Sequence, residues 1–289
     1  MILVIKRYCE RIGLCDMAKD EICNTFDKLV ANGYLGKIMN LSESLLEGKN
    51  IREGCDSLES ECGVHTYTLL EIVLIYSLPA LEHTHRVLGL DPSLFEGVLV
   101  DIKAKTIECF DVYKVVGNIC YDWYIGFYNC KRACLGRLQL ERHTFRFDYK
   151  DYKKGERAVN CHIPSTGPLK YDDVIDSFKR AYVYFADSVR DGVLPIVCSS
   201  WMLHPQTAKC FKAGGGLEMF YNLFDVIHSE DTPKNHNFWR VFNVEYKDFD
   251  KAPRDTSLRR AIYDMMKSGQ DMGTGYGVIL FDGENIINK

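Results

Sequence analysis

No two cysteines in this chain stand in C-x-x-C spacing; the nearest approach is Cys130-x3-Cys134. Twelve cysteines are present but scattered, which excludes a zinc ribbon or a thioredoxin-type redox pair and fits reduced thiols in a cytoplasmic protein. No uncharged apolar run reaches the roughly 18 residues a membrane span needs. The most apolar stretch, 66–81, contains Glu71 and reads as a buried helix. The start, "MILVIKRYC", meets Lys6 and Arg7 at once and has no signal-peptide layout. There is no excess of positive charge. A net charge of -4, with lysines and arginines dispersed, gives no nucleic-acid surface. Walker A, G-x-G-x-x-G and G-x-S-x-G loops are all missing, as are internal repeats and low-complexity segments.

What is present is an ordinary globular composition, 46% hydrophobic and 26% charged over 289 residues. The rhythm differs between the two halves. Residues 1–118 read as a helical domain. Asp16 is placed to cap a helix with Ile22, Phe26, Leu29 and Val30 on its apolar face, ended by Asn32-Gly33. Helices also fit 37–46, 58–88 with a kink or break at Pro79, and 94–105 after Asp91-Pro92-Ser93. Residues 119–289 read as an α/β domain. Strands fit 135–147, 157–163, 194–200, 238–246 and 276–281. Helices fit 171–187, 205–211, 217–226 and 256–267.

Several candidate sites emerge. Pro164 stops the second strand, and Ser165-Thr166-Gly167-Pro168 leads into a helix that opens with Asp172-Asp173. Small residues before a helix N-terminus let a phosphate reach free N–H groups. The acidic pair satisfies the helix dipole without a ligand, so from this turn alone a plain strand-to-helix connection is the better reading. On the 135–147 strand, Arg137, Gln139, Glu141 and His143 form a polar stripe, either a solvated sheet face or a cleft wall. In a cleft, the Glu141 carboxylate can take a proton from an amine. His162, at the end of its strand, is a core histidine or a base. Cys198 as a hydrolase nucleophile lacks the surrounding motif. Ser199 and Ser200 can hydrogen-bond a ligand, and Trp201 can pack on one. Tyr221 is a phenolic acid or a packed aromatic. His83-Thr84-His85 lacks the carboxylates a metal site needs, and no metal site is expected.

The segments "LGRLQLE" (135–141), "HIPSTGPL" (162–169) leading into "DSFKRAYVYF", "CSSWMLHP" (198–205) and "HNFWRVF" (236–242) resemble, in that order, a bacterial family of N-acyltransferases. Those proteins carry a helical N-terminal domain and a C-terminal domain like the GNAT (Gcn5-related N-acetyltransferase) fold. The resemblance implies an α/β (α+β mixed-sheet) acyltransferase domain with acyl-CoA, acetyl or longer, as co-substrate. It implies that Ile163, Ser165, Thr166, Gly167 and Leu169 hold the pyrophosphate. Residues 194–200, with Ser199, Ser200 and Trp201 at or just beyond their end, become the strand that splays away to admit the pantetheine arm. The superfamily loop Q/R-x-x-G-x-G/A is absent, and "STGPL" has one glycine in its place. On this resemblance Glu141 is assigned as base, with His162 as the alternative, and Tyr221 as acid. The implied acceptor is a small-molecule or peptide amine, with the helical domain covering part of the cleft. A binding module that has lost CoA is the rival reading.

Overall fold

The computed structural model describes residues 2–232 and 236–288. The chain forms two compact units, one ending at Cys134 and the next beginning at Leu135. The first is helical: α1 (Ile2–Ile12), α2 (Asp16–Ala31), α3 (Leu35–Leu46), α4 (Arg52–Cys62), α5 (Thr66–Val87), α6 (Pro92–Tyr113) and the short α7 (Ile125–Tyr128). Helix α5 is central, with α1, α2, α3, α4 and α6 all packed on it. It is apolar nearly all round as far as Leu81, as a largely enclosed helix must be. That enclosure carries Pro79 inside the helix, where proline costs about 3 kcal/mol. The break expected at Pro79 falls instead at Gly63, whose φ of 72° closes α4 in a left-handed cap. Asp16 is the first residue of α2 rather than its cap, and its carboxylate lies 2.8 Å from Lys19. Asp91 does cap α6, its side chain accepting the Ser93 N–H at 2.8 Å. Tyr121, Tyr124, Phe127 and Tyr128 are buried in this same core, which places residues 119–134 with the helical unit.

The strands are β1 (Arg132–Leu135), β2 (Leu138–Thr144), β3 (Arg157–His162), β4 (Leu194–Ser200), β5 (Asp225–Glu230) and β6 (Thr274–Phe281), in one sheet ordered β1-β2-β3-β4-β6-β5. β3 and β4 are parallel, and the crossover between them contains α8 (Tyr171–Tyr184). The β2–β3, β4–β6 and β5–β6 pairs are antiparallel. α8 packs through Phe178 on Phe281, 5.9 Å between ring centres, and so covers the face that carries Gly277. The same face receives α9 (Pro205–Ala208), α10 (Gly216–Leu223) and the turn at Leu203: a Cβ added to Gly277 would meet Leu203 and Phe224.

Two sequence expectations change here. Arg137 is not on a strand; it lies in the tight turn at Gly136, whose φ is +75°, between β1 and β2. Residues 238–246 are not a strand either. Phe238, Val241 and Phe242 are buried at helical spacing in α11 (Phe238–Phe242), which Asn243 ends at a φ of 54°. They form a local aromatic and methionine core with α12 (Ser257–Lys267) between β5 and β6. An apolar run of this length fits either period, and the packing partners decided it.

Among the described residues, no single helix is long and apolar enough to cross a membrane.

Candidate active site

Pairing register builds the site. Glu141 lies opposite Asn160, and Gln139 lies opposite His162. Residues directly opposite one another share a sheet face, so all four side chains project together. Asn160 is also level with Val197 on β4, which puts Ser199 on that face two residues on. Ser199 is exposed and Gln139 is buried. The polar stripe is therefore a wall that begins inside the protein and opens outward, rather than a uniformly solvated face.

Glu141 and His162 meet. Glu141 Oε1 lies 2.7 Å from His162 Nε2, and the Asn160 side-chain amide donates to the same oxygen at 3.2 Å. Each side chain of the pair is about one fifth exposed, 19% for Glu141 and 22% for His162. With Nε2–H donating to the carboxylate, the basic lone pair of the neutral imidazole is on Nδ1. The unit can accept a proton and keep the resulting imidazolium beside a negative charge. His143, further along β2, is exposed and outside this group.

Register also locates the slot. β3 and β4 pair at Val159–Ile196 and Asn160–Val197. β3 then runs to His162 and β4 to Ser200 with no further pairing in the register. The last residues of the two strands, beside the Glu141–His162 pair, are thus not paired with each other.

The turn after β3 sits at the mouth of that slot. Ser165, Thr166, Gly167 and Pro168 are exposed, while Pro164 and Leu169 are buried. Gly167 has a φ of +137°, which a side chain would resist. Arg137, which the sequence placed in the polar stripe, instead organises this turn. Arg137 donates to the carbonyls of Pro164 at 2.9 Å, Gly167 at 2.6 Å and Pro168 at 2.9 Å. Its own N–H donates to Ser177 Oγ in α8 at 3.0 Å. Burial pulls the guanidinium below its ordinary range, with Cys161 and Asp173 opposing that pull. Among the described residues, the N–H groups of Thr166 and Gly167 find no protein acceptor. Those donors, together with the amides at the start of α8, suit an anionic group. Asp172 and Asp173 are exposed in the same helical turn and repel one.

The remaining candidates are placed as follows. Ile163 is half-buried between His162 and the turn. Ser200 uses its Oγ to accept the Met202 N–H at 3.1 Å, capping the turn that follows β4. Trp201 packs edge-on against Phe211, 6.2 Å between ring centres, at the border of the α11–α12 core. Tyr221 is half-buried on α10, in the helical layer on the sheet face opposite Glu141. α10 starts hard against the turn, since a Cβ on Gly216 would lie 2.2 Å from the Leu169 carbonyl oxygen. Cys198 is fully buried on that same helical side, hydrogen-bonded to Cys161, whose thiol burial drives well above its ordinary value. Tyr276 lies opposite Ser199 on β6 and so shares the Glu141 face; its hydroxyl accepts the Arg146 N–H at 3.2 Å. Asn160 and Tyr276 gave no sequence signal, because only strand pairing brings them beside Glu141 and Ser199.

A mixed sheet with one parallel pair, a turn and helix after β3, and a helical region before it are the features of a GNAT-like fold. Residues 133–279 match the family described as GNAT-like C-terminal domain, and the chain belongs to that family. Among solved structures the chain is similar to an acyltransferase in complex with decanoyl-CoA, at a TM-score of 0.75 and 20% identity, over 93% of this chain and 85% of that one. It is also similar to an acyltransferase in complex with decanoyl-CoA and teicoplanin, at a TM-score of 0.74 and 19% identity, over 94% and 86%. At these identities the likeness concerns the fold. None of the curated proteins compared matches the sequence.

Proposed function

We propose that this protein transfers an acyl group from acyl-CoA to an amine by direct attack, with Glu141 and His162 as the proton acceptor. The observation that carries this is the hydrogen-bonded Glu141–His162 pair beside the fork of β3 and β4. The amine nitrogen attacks the thioester carbonyl carbon. A C–N bond forms, the C–S bond breaks, and the amine's proton passes to the Glu141–His162 unit. The thiolate takes a proton from an acid, for which Tyr221 is our candidate, or from water. No covalent enzyme intermediate is needed, and the protein's contribution is positioning and proton transfer. Ser199 is exposed on the wall of the fork, where a pantetheine amide would pass. Ile163, Ser165, Thr166, Gly167 and Leu169 line the turn that we assign to the pyrophosphate. The similar acyltransferases with decanoyl-CoA bound support an acyl-CoA donor, and the one holding teicoplanin supports a small-molecule or peptide-like acceptor.

A thiol-release assay with acetyl-CoA and decanoyl-CoA against mixed small and peptide amines tests the reading. Amine-dependent release that Glu141→Gln abolishes supports it. Neither binding nor turnover of any acyl-CoA supports the rival, a non-catalytic module that has lost CoA and keeps its groove for a peptide or metabolite, which the acidic pair Asp172-Asp173 favours.

A further inference from the structure

We propose that Arg137 is the positioning residue for the pyrophosphate turn, aligning from behind a backbone that carries a single glycine. This rests on the acyl-CoA reading above. A glycine-rich loop wraps an anion because its backbone is free to turn several N–H groups inward. Here the turn has one glycine, and Pro164 and Pro168 contribute no N–H at all. The few remaining donors must be oriented by something outside the turn.

Arg137 does this by geometry. Its planar guanidinium takes the carbonyls of Pro164, Gly167 and Pro168 at once, through Nη1, Nη2 and Nε. A trans peptide points its C=O and the following N–H in opposite directions. Carbonyls aimed at Arg137 therefore turn the amides of Ser165 and Leu169 away from it. Arg137 is itself fixed: Ser177 Oγ of α8 accepts the N–H of Arg137 at 3.0 Å and that of Leu138 at 3.2 Å. The guanidinium thus holds the turn while the Arg137 backbone is anchored to α8. Among the described residues Arg137 forms no ion pair with a carboxylate. Its positive charge, on which Asp173 acts through space, offsets the field of the Asp172-Asp173 pair at the turn.

The test compares wild type, Arg137→Met and Arg137→Lys by calorimetric titration with decanoyl-CoA and with decanoyl-pantetheine, which lacks the pyrophosphate. We expect Arg137→Met to weaken decanoyl-CoA at least tenfold and to leave decanoyl-pantetheine within twofold. Arg137→Lys keeps the charge and most of the stem if methionine unfolds the domain. Its compact ammonium cannot span three carbonyls, so it should show the same selective loss, about threefold or more. Equal loss for both esters means a structural role only, and unchanged decanoyl-CoA binding means no role; either overturns the proposal. A wild type that binds neither ester instead overturns the acyl-CoA reading, and this inference with it.

Discussion

Glu141 and His162 stand 21 residues apart in the chain and 2.7 Å apart in space, joined across the β2–β3 pair. If they act as one proton acceptor, Glu141→Gln removes the charge that supports the imidazolium. Turnover with a responsive amine should fall by about 10²- to 10⁴-fold, the usual worth of a positioned base. Binding of decanoyl-CoA should change less than threefold, since the proposed role of the pair is to take the acceptor's proton rather than to hold the nucleotide. Titration and initial rates on the same preparation check both halves.

Asn160→Ala removes the second donor to Glu141 Oε1 but neither acid–base group. A smaller effect follows, about ten- to thirtyfold in kcat, the lower part of what one lost hydrogen bond to a charged group costs. A rate loss as large as that of Glu141→Gln would show that Asn160 does more than hold the carboxylate.

Gly216→Ala puts a methyl group 2.2 Å from the Leu169 carbonyl oxygen. The contact is with backbone, so α10 must back away from the turn. Overpacking of this kind costs about 1–3 kcal/mol. The expected outcome is a lower melting temperature together with weaker decanoyl-CoA binding. A variant as stable as wild type would mean that α10 and the turn are not rigidly packed.

Glu71 is fully buried in the helical unit, accepting from Thr106 Oγ1 at 2.8 Å and Asn118 Nδ2 at 3.3 Å. Burial raises its pKa from the ordinary 4.5 to about 7, against the pull of those two hydrogen bonds. The folded state therefore binds this proton more tightly than the unfolded chain. Its contribution to stability is complete below about pH 4.5 and is lost as pH rises to about 7. Glu71→Gln should flatten that slope and stabilise the protein above pH 7 by an amount on the order of 3 kcal/mol. Thermal melts between pH 5 and 8 test it; parallel pH profiles for the two proteins would refute the assignment.

Cys198 is fully buried and Cys15 is exposed. Iodoacetamide should label Cys15 in the native protein well before Cys198, and Cys198→Ala should leave acyl transfer unchanged. Fast labelling of Cys198 would revive a thiol-dependent hydrolase.

Much of the fold was legible because it depends on local period and punctuation. The apolar spacing of α2 and its Asn32-Gly33 stop, the Asp91 cap of α6, and the run of β4 are all set by nearby residues. So was the turn after β3, since Pro164 and Gly167 mark it in any context. The site was legible only in pieces. Glu141 and His162 were each visible as chemistry, but nothing in the sequence states that Gln139 lies opposite His162 and Glu141 opposite Asn160. A shift of one residue would have sent the two side chains to opposite faces. Arg137 read as one member of a polar stripe because its turn, and the carbonyls it holds, are formed by segments about thirty residues apart.

By itself the sequence determined the helical and α/β halves, the strand–turn–helix at 157–184 and the residue types available for acid–base chemistry, because propensity, capping and turn preferences act over a few residues. Tertiary structure alone decided that Glu141 meets His162, that the recorded pairing of β3 with β4 ends beside them, that 238–242 is a helix, and that Arg137 holds the turn. Those outcomes depend on strand register and on packing between distant segments, where the free energy is shared among partners that no local pattern names.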